Sequence, residues 1–199
     1  VGGADYEEST DIGVDELGNV YVLGYLYETA DFDPNLGEVL ITSQGASDTF
    51  LLKLDSAGDF VNVYSYGGTN LDLALDMEVK NSNEIYISGF FEGTSDLDPR
   101  PSEEYFVTAT EGFILKVLAD GSIAWARHLT STDPLFAYDI AVGPNENVHT
   151  VGYFGGTADF DPDVNDVFEL TKESVNASDA FISILNSNGM FINAYQFGG

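Results

Sequence analysis

Cysteine is absent from the 199 residues, which excludes a disulfide framework, a thiolate zinc site and a cysteine nucleophile. Basic residues are almost as scarce. Six Lys and Arg stand against 34 Asp and Glu, for a net charge of -28. Nucleic acid and anionic membrane surfaces both need a basic footprint, so neither is expected as a partner. The acidity favours cations, or a salty habitat in which carboxylates hold hydration. No apolar run approaches the roughly 18 residues of a membrane span, so no membrane insertion is expected. No 11-residue window carries a 3.6 period, and Gly or Pro punctuates every run, so no helix is expected. The two histidines have no repeated partner, which argues against a histidine metal site or triad.

The chain nevertheless has the material for a core. Hydrophobic residues make up 44% and aromatics 13%, too much for a disordered acidic tail. The length supports a core without disulfides, so secretion is compatible with the missing cysteines.

One motif organises the chain. Ala30-Asp31-Phe32-Asp33-Pro34 recurs as Ser95-Asp96-Leu97-Asp98-Pro99 and as Ala158-Asp159-Phe160-Asp161-Pro162. The spacings are 65 residues (31 to 96) and 63 residues (96 to 159), which marks a repeat array. Around each copy runs the same script. Asp11-Ile12, Asp76-Met77 and Asp139-Ile140 lie in a first strand. The second is rich in β-branched and aromatic residues: Val20 to Tyr27, Ile85 to Phe90, and Asn147 to Gly152. The motif loop and a short strand near Val39-Leu40-Ile41 follow. A third strand runs from Ser47 to Asp55, from Gly112 to Val117 and from Asp179 to Leu185. The turns at Gly58, Gly121 and Gly189 lead into a last aromatic strand. Gly67-Gly68 and Gly198-Gly199 close their units, whereas Thr130-Ser131 closes the second. With this closure as the ruler the units are 4–68, 69–131 and 132–199, one repeat domain over 1–199. Four antiparallel strands per repeat of this length fit a β-propeller blade. The expected fold is therefore all-β: three four-stranded blades in tandem, as an incomplete propeller or an open repeat array.

The combination G-N-V-Y-V-x-G, then A-D-F-D-P, then S-D-x-F-x-x-K-L-D-x-x-G, an aromatic strand and G-G resembles the bacterial SBBP family of β-propeller repeats. The resemblance covers all three units. It implies a surface or secreted scaffold rather than one chemistry. Propellers typically close with four to eight blades, and three leave open edges. Val1-Gly2-Gly3 and Phe197-Gly198-Gly199 stand at the same phase of the repeat. The expectation is a piece of a longer array, or a subunit joined head to tail to identical copies.

The candidate metal ligands are Asp31, Asp33 and Asn35 in the first loop, Asp96 and Asp98 in the second, and Asp159, Asp161 and Asp163 in the third. Alternate oxygen-bearing residues in a loop suit calcium, which takes several hard oxygen ligands at roughly 2.3–2.6 Å. Two neighbouring carboxylates also repel unless a cation or hydrogen-bond donors lie between them. The loop is not an EF-hand, and Arg100 stands in the second copy where the others have Asn35 or Asp163, which weakens that site. The competing reading is that these carboxylates cap the loop's own amides. Asp48, Glu111 and Asp179 recur before the third strand, either completing the sites or ending the strands. Phe50, Phe113 and Phe181 align as inter-blade packing, and His149 occupies the place of Tyr21 and Tyr86. Trp125 replaces Asn62 and Asn193, as a core aromatic or a sugar-stacking ring. Asn176-Ala177-Ser178 is a lone glycosylation sequon.

Paired carboxylates serve glycoside hydrolases, but an active site is one unsymmetric constellation, and here the pairs repeat with the fold. No catalytic residue and no enzyme activity are expected. The leading expectation is a non-enzymatic, calcium-stabilised extracellular scaffold in a surface adhesin or a self-assembling fibre. The alternative is a protein- or glycan-binding module cut from a larger closed propeller. A further account attributes the acidity to halophilic adaptation.

Overall fold

The computed structural model describes residues 2–3, 5–97, 106–173 and 177–198, and they contain strands and turns but no helix. After the two-residue β1 (Gly2–Gly3), the first of three antiparallel meanders runs through β2 (Glu7–Val14), β3 (Val20–Leu26), β6 (Asp48–Leu54) and β7 (Phe60–Gly68). The second runs through β8 (Asp72–Asn81), β9 (Glu84–Asp96), β10 (Phe106–Leu118) and β11 (Ile123–Ser131). The third runs through β12 (Leu135–Val142), β13 (Val148–Phe154), β16 (Asp179–Leu185) and β17 (Phe191–Phe197). Short hairpins interrupt the first and third: β4 (Thr29–Asp31) with β5 (Leu40–Thr42), and β14 (Thr157–Asp159) with β15 (Glu169–Thr171). In the second meander the long strands β9 and β10 continue into the equivalent pairing.

The turns follow from their residues. Asp55 Oδ1 accepts from the amides of Ala57 and Asp59 at 2.8 and 3.0 Å, and Gly58 takes a φ of +87°. Asn186 does the same for Asn188 and Met190, with Gly189 at +73°. An Asx side chain spends its oxygen on the turn amides, and glycine takes the left-handed conformation that other residues resist.

Register comes from a glycine facing an aromatic ring. Gly24 pairs with Phe50, Gly89 with Phe113 and Gly152 with Phe181. A Cβ at any of these glycines would come within 2.7–2.9 Å of that ring. Phe50 packs inside its own repeat, against Phe32 at 4.7 Å, and Phe181 likewise against Phe160 at 4.9 Å. The clusters holding Phe113 and Phe181 each join residues of two meanders, whereas the cluster holding Phe50 lies within the first, so the expected inter-blade role belongs to two of the three.

Alternation along each strand divides its residues between two faces. One face of the first meander, with Tyr21, Leu23 and Leu51, shares a core with Met77, Ile87 and Leu115 of the second. The opposite face of the second, with Tyr86, Ile114 and Leu129, shares a core with Ile140, Val148 and Phe181 of the third. The repeats therefore stack face to face, and each joint is an apolar layer.

Candidate functional site

The motif loops lie at the joints between repeats. Their first Asp ends a strand that pairs with the residues closing the strand before the repeat. Gly67 and Gly68 face Asp96 and Ser95, and Thr130 and Ser131 face Asp159 and Ala158. Gly2 and Gly3 face Asp31 and Ala30 in the same register. Residue 2 faces 31, 67 faces 96 and 130 faces 159, a constant offset. The Gly-Gly that looked like a closing mark is thus half of a strap, and the motif of the next repeat is the other half. A Cβ at Gly68 would come within 2.8 Å of the Ser95 Cα, which explains a glycine there.

Within each loop the acidic side chains hold backbone. Asp31 Oδ1 accepts from the amides of Asp33 at 3.0 Å and Val39 at 2.9 Å, tying both ends of the loop together. These bonds hold its carboxyl below the usual range. Asp159 Oδ1 does the same for Asp161 at 3.0 Å and Phe168 at 2.8 Å. Asp33 Oδ1 accepts from the Asn35 amide at 2.8 Å, and Asp161 Oδ1 from the Asp163 amide at 3.0 Å. Asp163 accepts from the amide and side chain of Asn165, which lowers its pKa. Asn35 turns outward, its Nδ2 donating to Asp59 at 3.3 Å. Asp31 ends a strand and Asp33 lies in the turn, so each carboxylate serves its own cap. The residue between the two Asp enters the core: Phe32, Leu97 and Phe160 are all buried. Among the described residues no three acidic or imidazole side chains converge to hold a metal ion. Asp96 faces Gly67, while Asp98 and Arg100 lie outside the described residues, as does Asn176 of the sequon.

A second repeated contact crosses each joint. A β-bulge between Ser9 and Asp11, between Ala74 and Asp76, and between Ala137 and Asp139 places an Asp on the first strand. Asp11 Oδ2 accepts from the Met77 amide at 3.1 Å, and Asp76 Oδ2 from the Ile140 amide at 2.8 Å. Burial, together with the charges of Asp139 and Asp11, pushes Asp76 up to about 6. The recurrence of Asp11, Asp76 and Asp139 at one phase is legible in the sequence, but its purpose is not, because the partner amide belongs to the next repeat.

The residues before the third strand are buried. Asp48 and Asp179 pack over Gly67 and Gly198, and accept from the amides of Gln44 at 3.0 Å and Glu173 at 2.7 Å. Glu111 instead meets His128, Nδ1 to Oε2 at 2.6 Å, beside Thr130 where the others have glycine. His149 is half-buried, in the place of the buried Tyr21 and Tyr86. Trp125 Nε1 donates to the Ser187 carbonyl at 3.0 Å, and Arg127 donates to the carbonyls of Gly189 at 2.8 Å and Asn188 at 3.1 Å. These two side chains clamp the next repeat's turn. Arg127 also borders a cavity of about 430 Å³ lined by Asp161, Asp163, Asp166 and Met190.

No family model matches the chain. The whole chain aligns with an uncharacterized WD repeat-containing protein of Acanthamoeba polyphaga mimivirus, 22% identical over 225 aligned positions. The chain spans 15% of that protein's length. With the all-β structure, this likeness points to a β-propeller-type repeat protein. The tryptophan here is followed by Ala126, so the dipeptide after which WD repeats are named is absent.

Proposed function

We propose that the chain is a non-enzymatic scaffold of three four-stranded propeller-type blades, working outside the cell as part of a larger surface structure or fibre. One observation carries this reading: the motif recurs with the fold, its carboxylates at Asp31 and Asp159 tie their loops, and its backbone pairs with the strand that precedes the repeat. The acidic surface keeps such an array hydrated and monodisperse. Calcium belongs to the proposal as a reinforcing ligand of the rim loops at Asp33, Asp161 and Asp163, not as the source of their shape, since amide caps already hold them. The second reading, a protein- or glycan-binding part of a larger closed propeller, draws on the greater length of the mimiviral relative.

The test compares two substitutions at one carboxylate. Asp159→Ala removes the cap and is expected to cost about 1–3 kcal/mol in urea unfolding. Asp159→Asn keeps an amide oxygen for the same two donors and should cost less. If Ala is as stable as the parent, the loops are not structural and the scaffold reading is wrong. Calcium addition should raise the melting temperature; an unchanged melt in calcium and in chelator removes the metal from the proposal and leaves the scaffold.

A further inference from the structure

The two internal joints differ at three register-equivalent positions. At the first joint Leu23 of the first repeat lies in one apolar cluster with Ile87 and Leu115 of the second. Leu23 pairs with Leu51, Ile87 with Met77 and Leu115, and Leu115 with Ala126. One repeat further along, the same positions hold Ser88 of the second repeat and Thr150 and Ser183 of the third. Ser88 pairs with Ile114, Thr150 with Ile140 and Ser183, and Ser183 with Ala194. Strand alternation puts all three on faces that bound the second joint, because Tyr86, Val148 and Phe181, each two residues earlier, lie in its core. Their neighbours Ile114, Ile140 and Ala194 belong to the same core.

Ser88, Thr150 and Ser183 are each 0% exposed, and their hydroxyls have no hydrogen-bond partner among the described residues. They are also smaller than the residues they replace. Leu23, Ile87 and Leu115 carry four side-chain heavy atoms each, against two in each serine and three in the threonine. The paired neighbours do not make up the difference, since Ile114, Ile140 and Ala194 have as many heavy atoms as Leu51, Met77 and Ala126. A buried hydroxyl without a partner is costly, and the first joint shows that aliphatic side chains fit these positions.

We infer that the second joint binds ordered water at Ser88, Thr150 and Ser183. Thr150 and Ser183 are direct cross-strand neighbours, and Ser88 faces them from the other side of the joint, as Leu23 faces Ile87 and Leu115. Each hydroxyl offers one donor and two acceptor sites, and a buried water takes about three hydrogen bonds to such groups. The walls at Ile114, Ile140 and Ala194 are apolar, and three neutral hydroxyls cannot offset the burial of an ion, so the ligand is small and uncharged. Gly112, which makes room for Leu135, lies two residues before Ile114 on the same face, so the hydrated site adjoins the leucine-filled end of the joint. The site is a property of this joint and does not depend on calcium or on the scaffold reading.

Magnetic relaxation dispersion of water, measured on the whole chain, counts internal waters that stay longer than the molecule takes to tumble. The parent is compared with Ser88→Leu/Thr150→Ile/Ser183→Leu, which installs the first joint's residues at the second. The parent should hold at least one long-lived water more than the variant. Equal counts in a folded variant would overturn the site. A crystal structure of the parent tests it without any substitution. A water within about 2.7–3.2 Å of at least two of the three hydroxyls is expected. Hydroxyls turned onto backbone carbonyls, with hydrocarbon filling the space between them, would overturn the site. An ion in that place would overturn the uncharged ligand. None of these results bears on the Asp159 substitutions, so the scaffold reading is judged separately.

Discussion

The two internal joints share one backbone geometry and differ in what fills it. At the first, Thr49 Oγ1 donates to the Asp72 carbonyl at 3.2 Å and accepts from the Ala74 amide at 2.9 Å. Asp72 is 1% exposed; it accepts from the Gly68 amide at 2.8 Å and from the Ser95 hydroxyl. At the second, Gly112 stands in the place of Thr49, Leu135 in that of Asp72 and Ala158 in that of Ser95. A Cβ on Gly112 would collide with Leu135, so glycine makes the room that leucine takes. Both joints contain an apolar layer; beside it the first is hydrogen-bonded through a buried acid, and the second is filled by leucine. What they have in common is the strap and the Asp-to-amide bond. The geometry of stacking is therefore carried by backbone pairing at the edge, and the centre tolerates either chemistry.

Exchanging the centres should show the largest effect. Leu135→Asp puts a carboxylate where no hydroxyl replaces Ser95, and a loss of about 3–5 kcal/mol, or failure to fold, is expected from urea unfolding. A loss below about 1 kcal/mol would mean that the second centre is not dry. The reverse exchange, Asp72→Leu with Thr49→Gly, should recover a stable joint at pH 7, while Asp72→Leu alone should not, because Thr49 fills the space.

A smaller effect is expected at the outer edge. Trp125 packs edge-on against Tyr86 at 6.0 Å and bonds the next repeat's turn. Asn62, its counterpart at the first joint, is exposed and bonds Tyr64 of its own strand at 2.9 Å. Trp125→Ala should cost about 2–3 kcal/mol and Asn62→Ala under about 1 kcal/mol in the same measurement. Equal costs would show that the clamp adds nothing to the second joint.

The smallest effect should be the pH dependence. Burial pushes Asp48 and Asp72 up to about 6, so the neutral form is favoured in the fold. The stability this contributes is complete below the ordinary carboxyl value and is lost as pH rises through about 6. Asp31 has the opposite sign: its contribution is present above the ordinary value and is lost at lower pH. Melting temperature should therefore rise from pH 7.5 to about 5 and fall again below 4. Asp72→Asn should flatten the upper part of this curve, whereas Leu135→Met at the apolar joint should leave it unchanged. An Asp72→Asn variant with the parent's full slope would place the titration elsewhere.

Much of this structure is legible from local pattern. Strand alternation, Asx-Gly turns and the thrice-written motif predict the strands and the absence of helix, because each depends on residues a few positions apart. The motif loop was less legible. Asp-x-Asp spacing describes calcium ligands and turn caps equally well; only the amides of Val39 and Phe168, brought back by the loop, show what Asp31 and Asp159 hold. In the sequence the strap is only a loop and a closing Gly-Gly, since nothing in either half names the other. Trp125 reads as a core aromatic or a sugar-stacking ring until the turn at 187–189 is placed against it and Arg127.

By itself the sequence determined the repeat, the strand order within each unit and the turns, because these follow from side-chain alternation and backbone preference over short distances. Only the tertiary structure decided which face of each repeat is covered and which acid is buried. It also decided that the motif of one repeat completes the last strand of the one before. Those outcomes depend on contacts between segments tens of residues apart, where a hydrogen bond or a buried ring exists only once the two repeats are stacked.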